Sequence, residues 1–369
     1  MIGKLKILFV CIAIGVAVAL TYYVFEHAVS QGINYIWQDL FDTTSTRWLV
    51  VPICLVLALI FFGLQHYLDP ISEKHESHGL GADQAKPNFI KFFLILLIGF
   101  LSLVAGASLG PEAVLVPACL VAGGIIGSKL LKNESQASQI VSAAAIIALF
   151  TAFFHSFFIG MLTIFLVTKV AKAKITPTLI LLSILASGSA FLVLNFIEPK
   201  TASFFNSPDT YWEVKAVDAF IALALVVFGF GSTLALRGIH TVFEIVSSKA
   251  NKIAWWQHAL VAGLILSIIY LVGGPYIQFT GNQEIKPIFN NAQGLGILGL
   301  VLIIVTKLTA ISWSKAIGYR GGLIFPMMFV AGAFSTIAHL IYPESNYIIA
   351  FLATVVGILL AEKKAKILL

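Results

Sequence analysis

Long uncharged stretches of apolar residues recur along the chain and dominate its pattern of hydrophobic and polar positions. Residues 7–24, 49–65, 92–109, 140–167 and 220–236 contain no Asp, Glu, Lys or Arg. Each stretch is long enough to cross most or all of roughly 30 Å of hydrocarbon as an α-helix. Unpaired backbone groups are too costly in lipid, and the runs are continuous instead of alternating like the strands of a barrel. The pattern therefore predicts an all-α, polytopic membrane protein.

Apolar periodicity and the Gly, Pro and polar residues between the runs predict where helices begin and end. We expect helices over residues 4–38, 47–68, 89–107, 111–131, 137–152, 155–172, 176–197, 214–247, 253–272, 285–297, 299–313, 322–341 and 346–361. A polar break near residues 198–213 divides this series. We therefore expect a first repeat over 1–198, a polar connection over 199–213, a second repeat over 214–369 and no soluble domain.

Composition agrees with a chain whose solvent is lipid. Hydrophobic residues make up 59% of the 369 positions and charged residues only 11%, whereas a soluble domain has about 25% charged residues. The net charge of +6 arises from basic residues at the ends of apolar runs, for example at 249–252 and 363–366. This placement favours lipid headgroups and positive-inside topology over nucleic acid as the partner.

The chain lacks the residue patterns of an enzyme. Cys11, Cys54 and Cys119 lie inside apolar segments without metal-ligand spacing, so we expect them to be packing residues. No zinc spacing, catalytic serine-histidine-acid set or phosphate-binding loop is recognisable. We therefore predict neither catalytic activity nor a metal or other cofactor.

The two halves of the chain share a local order that indicates weak internal symmetry. Each half has a polar loop containing glycine and a Lys-Pro pair, then an apolar helix, then a Gly-rich break, then another helix. The breaks lie at 107–111 and 318–326. Matching Gly/Pro interruptions in two hydrophobic halves are typical of inverted-repeat transport proteins, whose substrate lies where broken helices meet.

The chemistry of these breaks favours an anion. Residues 106–113 run Gly-Ala-Ser-Leu-Gly-Pro-Glu-Ala, and residues 321–326 run Gly-Gly-Leu-Ile-Phe-Pro. In both, glycine frees the backbone and an apolar helix follows, which places a helix N-terminus inside the membrane. Its first amides have no carbonyl partner, and the helix dipole gives that end about half a positive charge. Two ordinary helix kinks remain the alternative, because Gly and Pro kinks are common in membrane helices.

Two charged residues inside the apolar runs each have more than one interpretation. Glu112 falls in the first turn of a helix, where a carboxylate complements the dipole locally or acts as a gate. Lys307 falls in the middle of an apolar run, so it needs a partner, a water cavity or a role in the field along an ion path.

The two breaks and the lysine together resemble the CLC family of chloride channels and chloride/proton exchangers. Residues 107–111 fall where that family has Gly-Arg/Lys-Glu-Gly-Pro, and residues 321–326 fall where it has Gly-Gly-Ile-Phe-Ala-Pro. Lys307 occupies the family's basic position in the preceding helix, and residues 143–160 look like its paired helices joined by a short turn. The resemblance in helix order and spacing extends over residues 4–361.

The resemblance implies antiparallel inverted repeats with broken helices, a homodimer with one pore per subunit, and chloride or a similar anion held by backbone amides. It also implies a multi-pass protein of the cell (inner) membrane. Carried over by position, the anion-binding residues are Ser108, Leu109, Gly110, Pro111, Leu323, Ile324 and Phe325, with Lys307 supplying pore electrostatics. Glu112 lies one helical turn after Leu109, and since positions three apart share a helix face, it is a possible replacement for the family's gate.

Several departures from the family pattern bear on mechanism. The family's external gating glutamate falls on Leu109 and its internal proton-transfer glutamate falls on Val167. The Gly-Ser-Gly-Ile-Pro loop is reduced to Gly-Leu-Gly-Ala at 79–82, and the late helix with the pore tyrosine has no counterpart. Since both proton relay positions are apolar, we predict a passive anion channel. The alternatives are a proton-coupled exchanger that uses other acids, and a membrane relative that does not transport.

Overall fold

The described part of the chain is built from α-helices. The structure, a computed structural model, describes residues 2–42, 45–72, 89–130, 135–165, 167, 174–198, 213–250, 252–365 and 367. Its helices are α1 (Ile2–Ile33), α2 (Val50–Ser72), α3 (Phe89–Val104), α4 (Glu112–Leu130), α5 (Ser135–Phe154), α6 (Phe157–Leu162), α7 (Pro177–Ile197), α8 (Ala216–Ala250), α9 (Trp255–Gly273), α10 (Ile285–Asn290), α11 (Ala292–Ile317), α12 (Ile324–Ile341) and α13 (Tyr347–Ala365). A π-helical turn, Asn34–Leu40, follows α1, and 3₁₀ turns occupy Arg47–Leu49 and Pro275–Ile277.

Many of these helices are long and apolar enough to span a membrane. Among the described residues, seven helical segments meet both criteria: Leu8–Leu40, Arg47–Leu68, Pro177–Ile197, Ala216–Ala250, Trp255–Gly273, Ala292–Ile317 and Ile324–Ile341. Shorter apolar helices occupy Phe89–Val104, Glu112–Ile126 and Ile140–Phe154. The prediction of an all-α, polytopic membrane fold is confirmed.

The predicted helix boundaries differ most from the structure in the region before the second break. In place of helices at 285–297 and 299–313, α10 ends at Asn290 and α11 runs from Ala292 to Ile317. Gly296 interrupts the regular backbone inside α11, with φ 63° and ψ 174°. Three glycines lie close together here, at 294, 296 and 299. They were an ambiguous boundary signal, because a glycine can either end a helix or be absorbed as a kink.

The chain forms two compact units that are interleaved along the sequence. The first comprises Met1–Ser30, Leu68–Phe100 and Val114–Phe205, and the second comprises Gln31–Tyr67, Leu101–Ala113 and Asn206–Leu369. The segment 101–113 therefore belongs to the same compact unit as the carboxyl-terminal half. Both predicted breaks consequently lie in the second unit. The division into repeats at 1–198 and 214–369 stays a prediction, and most of the connection 199–213 lies outside the described residues.

Close helix packing in the first unit depends on small residues. A Cβ on Gly15 of α1 would lie 2.1 Å from the carbonyl oxygen of Ala186 in α7. A Cβ on Gly123 of α4 would lie 2.9 Å from the Cα of Ser142 in α5. Without a hydrophobic driving force in lipid, such backbone approach is what holds helices together. Residues 143–149 of α5 are almost completely buried and form the centre of this unit.

The second unit is packed in the same way around α8, α9, α11, α12 and α13. A Cβ on Gly229 of α8 would lie 2.2 Å from the carbonyl oxygen of Thr354 in α13. A Cβ on Gly263 of α9 would lie 2.6 Å from the carbonyl oxygen of Cys54 in α2. These contacts join α8 to α13 and α9 to α2.

Candidate anion site at two helix N-termini

The two predicted breaks meet in the structure. The amide of Gly110 donates to the carbonyl of Gly322 at 2.8 Å, and the amide of Gly322 donates to the carbonyl of Gly110 at 2.7 Å. This reciprocal pair forms a short antiparallel bridge between the strand-like residues that precede α4 and α12. The bridge brings the beginnings of two apolar helices, 212 residues apart in the chain, to one place.

Glycine is required at this bridge because the space next to it is occupied. A Cβ on Gly110 would lie 2.1 Å from Oε2 of Glu112, and a Cβ on Gly322 would lie 2.3 Å from its Cδ. A Cβ on Gly321 would lie 2.4 Å from the Cβ of Leu109. Gly110 and Gly322 therefore leave a space that the Glu112 carboxylate fills, and Gly321 leaves room for Leu109.

The Glu112 carboxylate binds the N-terminus of the other broken helix. Its Oε1 accepts hydrogen bonds from the amides of Ile324 at 2.6 Å and Phe325 at 3.3 Å. The residue is only 4% exposed, and its Oε2 has no hydrogen-bond partner among the described residues. A carboxyl oxygen thus binds the first amides of α12, where the helix dipole also favours an anion.

The other predicted ligands differ in how free their amides are. The amide of Ser108 donates to Oγ of Ser314 at 3.1 Å, and that of Gly110 is used in the bridge. Pro111 has no N–H group. The Leu109 and Leu323 side chains are buried, with 0% and 1% of each residue exposed. The amides of Ile324 and Phe325 are bound to Glu112, and the assignment of these residues to anion binding stays a prediction.

Lys307 lies close to the first break but its ammonium is bound by backbone oxygens. Its side chain is completely buried, and Nζ donates to the carbonyls of Ile277 at 3.1 Å and Phe279 at 2.6 Å. Nζ also lies 5.0 Å from the centre of the Phe329 ring. The lysine thus has the partner that burial of a charge requires.

The loop that holds Lys307 also holds the first break. Oγ of Ser108 lies 3.3 Å from each of the same two carbonyls, of Ile277 and Phe279. Oγ1 of Thr280 donates to the carbonyl of Leu109 at 3.0 Å. These contacts were not predicted from the sequence. The only signal was the polar loop before α10, which resembles the loop at 78–88 in the other half; that loop lies outside the described residues, as do Gly79 to Ala82.

The two positions on which the sequence resemblance places the family's proton-relay glutamates are apolar and buried. Leu109 is 0% exposed and Val167 is 1% exposed. Neither side chain can bind a proton. The described residues contain no group of three or more His, Cys, Asp or Glu side chains that could hold a metal ion. Cys11, Cys54 and Cys119 are buried free thiols, as expected for packing residues.

Comparison with known proteins gives one consistent answer. The profile of the family described as voltage gated chloride channel matches residues 74–361. The YfeO protein of Escherichia coli O139:H28, named as a candidate ion-transport protein, is 26% identical over 366 residues, covering 95% of this chain and 82% of that protein. The protein of the same name from Escherichia coli strain 55989 has the same identity and coverage.

Solved structures share the fold. The structure of a slow cyanobacterial Cl⁻/H⁺ antiporter superposes with a TM-score of 0.72 at 16% identity, covering 97% of this chain and 95% of that one. A CLC-type fluoride/proton antiporter superposes with a TM-score of 0.65 at 14% identity, covering 95% of this chain and 85% of that one.

The family profile covers more than half of the chain, and the relatives and the fold agree with it. With its apolar helices, the chain is an integral, multi-pass membrane protein. Membership of this family implies anion transport across a membrane, by channel or by antiporter. The chain belongs to the voltage-gated chloride channel (CLC) family.

Proposed function

We propose that this protein conducts a small anion, chloride foremost, passively across the membrane through the helix ends that meet at the Gly110–Gly322 bridge. The observation that carries the proposal is the Glu112 carboxylate bound to the amides of Ile324 and Phe325. A buried helix N-terminus that binds a carboxylate oxygen can bind a halide through the same amides and the same helix dipole.

The proposal of a passive channel rests on the absence of proton carriers at the two relay positions. Leu109 and Val167 are buried and apolar. Anion movement through this site would then not be coupled to protons at those positions. The similar solved structures include antiporters for chloride and for fluoride, so proton coupling through other acids is the second candidate. The efflux experiment described below would also compare chloride with other halides.

We further propose that Glu112 is the gate. Its carboxylate and a permeating anion would compete for the amides of Ile324 and Phe325, so the site conducts only when the side chain leaves. The oxygen Oε2, which has no partner among the described residues, leaves the carboxylate attached through Oε1 alone. A charge-assisted hydrogen bond of this kind is worth about 1.5–3 kcal/mol, which a bound anion could replace.

The test is chloride efflux from proteoliposomes with simultaneous recording of protons. Wild type should release chloride without stoichiometric proton movement. Glu112→Gln should increase the efflux rate by about tenfold or more, because a neutral amide competes less well for the helix-end amides. Glu244→Gln is the matched control: the Glu244 side chain is 60% exposed on α8 and pairs with His240, so the efflux of this variant should equal that of wild type.

Each outcome separates the candidate functions. Proton uptake driven by a chloride gradient would identify an exchanger and refute the passive channel. Efflux of Glu112→Gln equal to wild type, with the same pH dependence, would refute the gate. No anion flux from folded wild-type protein would favour the membrane relative that does not transport. The homodimer, the inverted repeat and the inner-membrane location also remain proposals, which cross-linking and fractionation can test.

A further inference from the structure

The surroundings of the Lys307 ammonium resemble those of a bound monovalent cation. The group is completely buried, two carbonyl oxygens lie 3.1 and 2.6 Å from Nζ, and an aromatic ring lies 5.0 Å from it. Carbonyl oxygens and a ring face stabilise a desolvated positive charge. A Cβ on Gly281 would lie 3.0 Å from Nζ, so glycine keeps this space open for the ammonium.

The loop that supplies these oxygens has an unusual backbone. Phe279 has φ 52°, in the left-handed region that non-glycine residues rarely adopt, and Gly281 has φ 87°. A bulky residue in that region costs about 1–3 kcal/mol and persists only where other contacts fix it. The Phe279 ring packs edge-on against Trp37 with centroids 5.1 Å apart. The carbonyl of Phe279 is therefore held pointing at Lys307 against a local preference.

The same loop is bonded to the first break. Oγ of Ser108 reaches the two carbonyls that bind the ammonium, and Thr280 donates to the carbonyl of Leu109. Loss of the ammonium would remove its charged hydrogen bonds to the carbonyls of Ile277 and Phe279 and leave them the Ser108 hydroxyl as a shared donor. Carbonyl groups that lose a donor in an apolar surrounding are costly.

Glu284 follows the loop in the chain and interacts electrostatically with Lys307. Burial raises the pKa of its carboxyl above its ordinary value, and the positive charge of Lys307 opposes that rise. The attraction between the two groups gives the ammonium a counter-charge outside the anion site.

We propose that the Lys307 ammonium is a tethered cation, which fills a small-cation site made by the carbonyl oxygens of Ile277 and Phe279 and so fixes the loop 277–281 against the first break. Lys307 is then a positioning residue that orients the backbone at Ser108 and Leu109. Its positive charge interacts with the two carbonyl oxygens. This role differs from the direct pore electrostatics that the sequence predicted. Only its effect on transport rests on the proposed function.

The experiment removes the ammonium and returns it from solution. In detergent-purified protein, Gln278→Cys serves as the reporter, because Gln278 lies in the loop and is only 7% exposed. Its reaction with a small water-soluble methanethiosulfonate should be slow. In the Lys307→Ala background the labelling rate should rise by about tenfold or more, because the loop loses its charged hydrogen bonds.

Methylammonium should reverse this rise in Lys307→Ala, since it carries the same N–H donors into the emptied site. Tetramethylammonium at equal concentration has the charge but no N–H donor, so it should change nothing. Lys307→Arg should keep labelling within about threefold of wild type, because a guanidinium also donates to carbonyls. Lys249→Ala, which removes an exposed lysine of α8, should label at the wild-type rate.

The transport readout distinguishes the two roles of the lysine. If anion efflux of Lys307→Ala falls at least about tenfold and methylammonium restores both efflux and slow labelling, positioning is supported. Unchanged labelling in Lys307→Ala would overturn the proposal whatever the flux. Labelling that rises without any rescue by methylammonium would also overturn it, since the site would not accept a free ammonium. If wild type moves no anion, the proposed function fails while the labelling comparison still decides the role of Lys307.

Discussion

Single residues decide whether the helix ends can face an anion. Glu112 is held by two amides of α12, and the bridge beside it has glycine on both sides. The glycines are needed for steric reasons and not for flexibility, because neither Gly110 nor Gly322 has a positive φ. Side-chain volume at these two positions is therefore a direct probe of where the carboxylate lies.

Gly322→Ala should displace the Glu112 carboxylate. The new Cβ would lie 2.3 Å from its Cδ and Cγ, closer than any real contact, so the side chain must leave the amides or the bridge must open. We expect faster chloride efflux than wild type and a free energy of unfolding lower by about 1–3 kcal/mol. Efflux and detergent-based unfolding of the same preparations measure both.

Gly231→Ala is the matched control for that substitution. Gly231 is exposed on α8 and a Cβ there would meet nothing within 4 Å. Alanine favours a helix over glycine by about 1 kcal/mol. Efflux should remain that of wild type and stability should not fall. If Gly322→Ala had the same efflux and stability as Gly231→Ala, the position described here for the Glu112 carboxylate would be contradicted.

At the scale of elements, the beginnings of α8 and α13 are joined by one buried carboxylate. Asp218, in the first turn of α8, is 2% exposed. Its Oδ1 accepts from the amide of Asn346 at 2.9 Å, and its Oδ2 accepts from the amide of Lys215 at 2.8 Å. Asn346 in turn caps α13, because its Oδ1 accepts from the amides of Ile348 and Ile349. Two helix N-termini thus share a small polar network.

Asp218→Ala should therefore destabilise the second unit. The substitution leaves the amides of Asn346 and Lys215 without their acceptors, at a cost of about 2–4 kcal/mol. The measurement is unfolding of the purified protein in a titration with sodium dodecyl sulfate. Glu244→Ala, which removes only a surface pair with His240, should change stability by less than about 0.5 kcal/mol. Equal effects of the two substitutions would contradict the proposed network.

The turn between α5 and α6 is capped by a serine hydroxyl. Ser156 precedes α6 in extended conformation, and its Oγ accepts from the amide of Ile159 at 3.4 Å. His155 has φ 46°, which lets the chain reverse before the cap. Local hydroxyl capping is visible in a sequence because donor and acceptor lie three residues apart.

At the scale of the whole molecule, the three cysteines serve as buried packing residues and not as reactive thiols. Cys11, Cys54 and Cys119 are 0%, 0% and 2% exposed. A thiol in an apolar interior is a packing group, since its reactive thiolate form is disfavoured there. The three cysteines occupy α1, α2 and α4, so together they report on packing in both compact units.

All three thiols should resist a membrane-permeant maleimide in the folded protein and react fully in sodium dodecyl sulfate. Burial blocks access in both compact units even though the reagent crosses lipid. Mass spectrometry after labelling counts the modified cysteines. The Gln283→Cys variant is the positive control, because Gln283 is exposed before α10, and it should gain one label in the folded state. Rapid labelling of Cys54 in the native state would contradict the packing of α2 described above.

The sequence by itself determined the solvent, the helices and the positions of the breaks. Whether a run such as 220–236 enters lipid depends on its own apolar surface. The helix end at 321–326 depends on its own glycines and proline. Both can therefore be predicted without knowing which distant residues lie nearby. The family followed from the spacing of the two breaks and Lys307.

Only the tertiary structure decided which groups meet at those breaks. Glu112 bonds an amide 212 residues away, and Lys307 bonds carbonyls 28 and 30 residues away in a loop with an unusual backbone. From the sequence, Glu112 either complemented the dipole of its own helix or acted as a gate. In the structure, its carboxylate binds the N-terminus of α12 and not that of α4, the helix to which Glu112 belongs. A hydrogen-bond partner is set by where folding places the other group, which no local pattern of apolar and polar residues encodes.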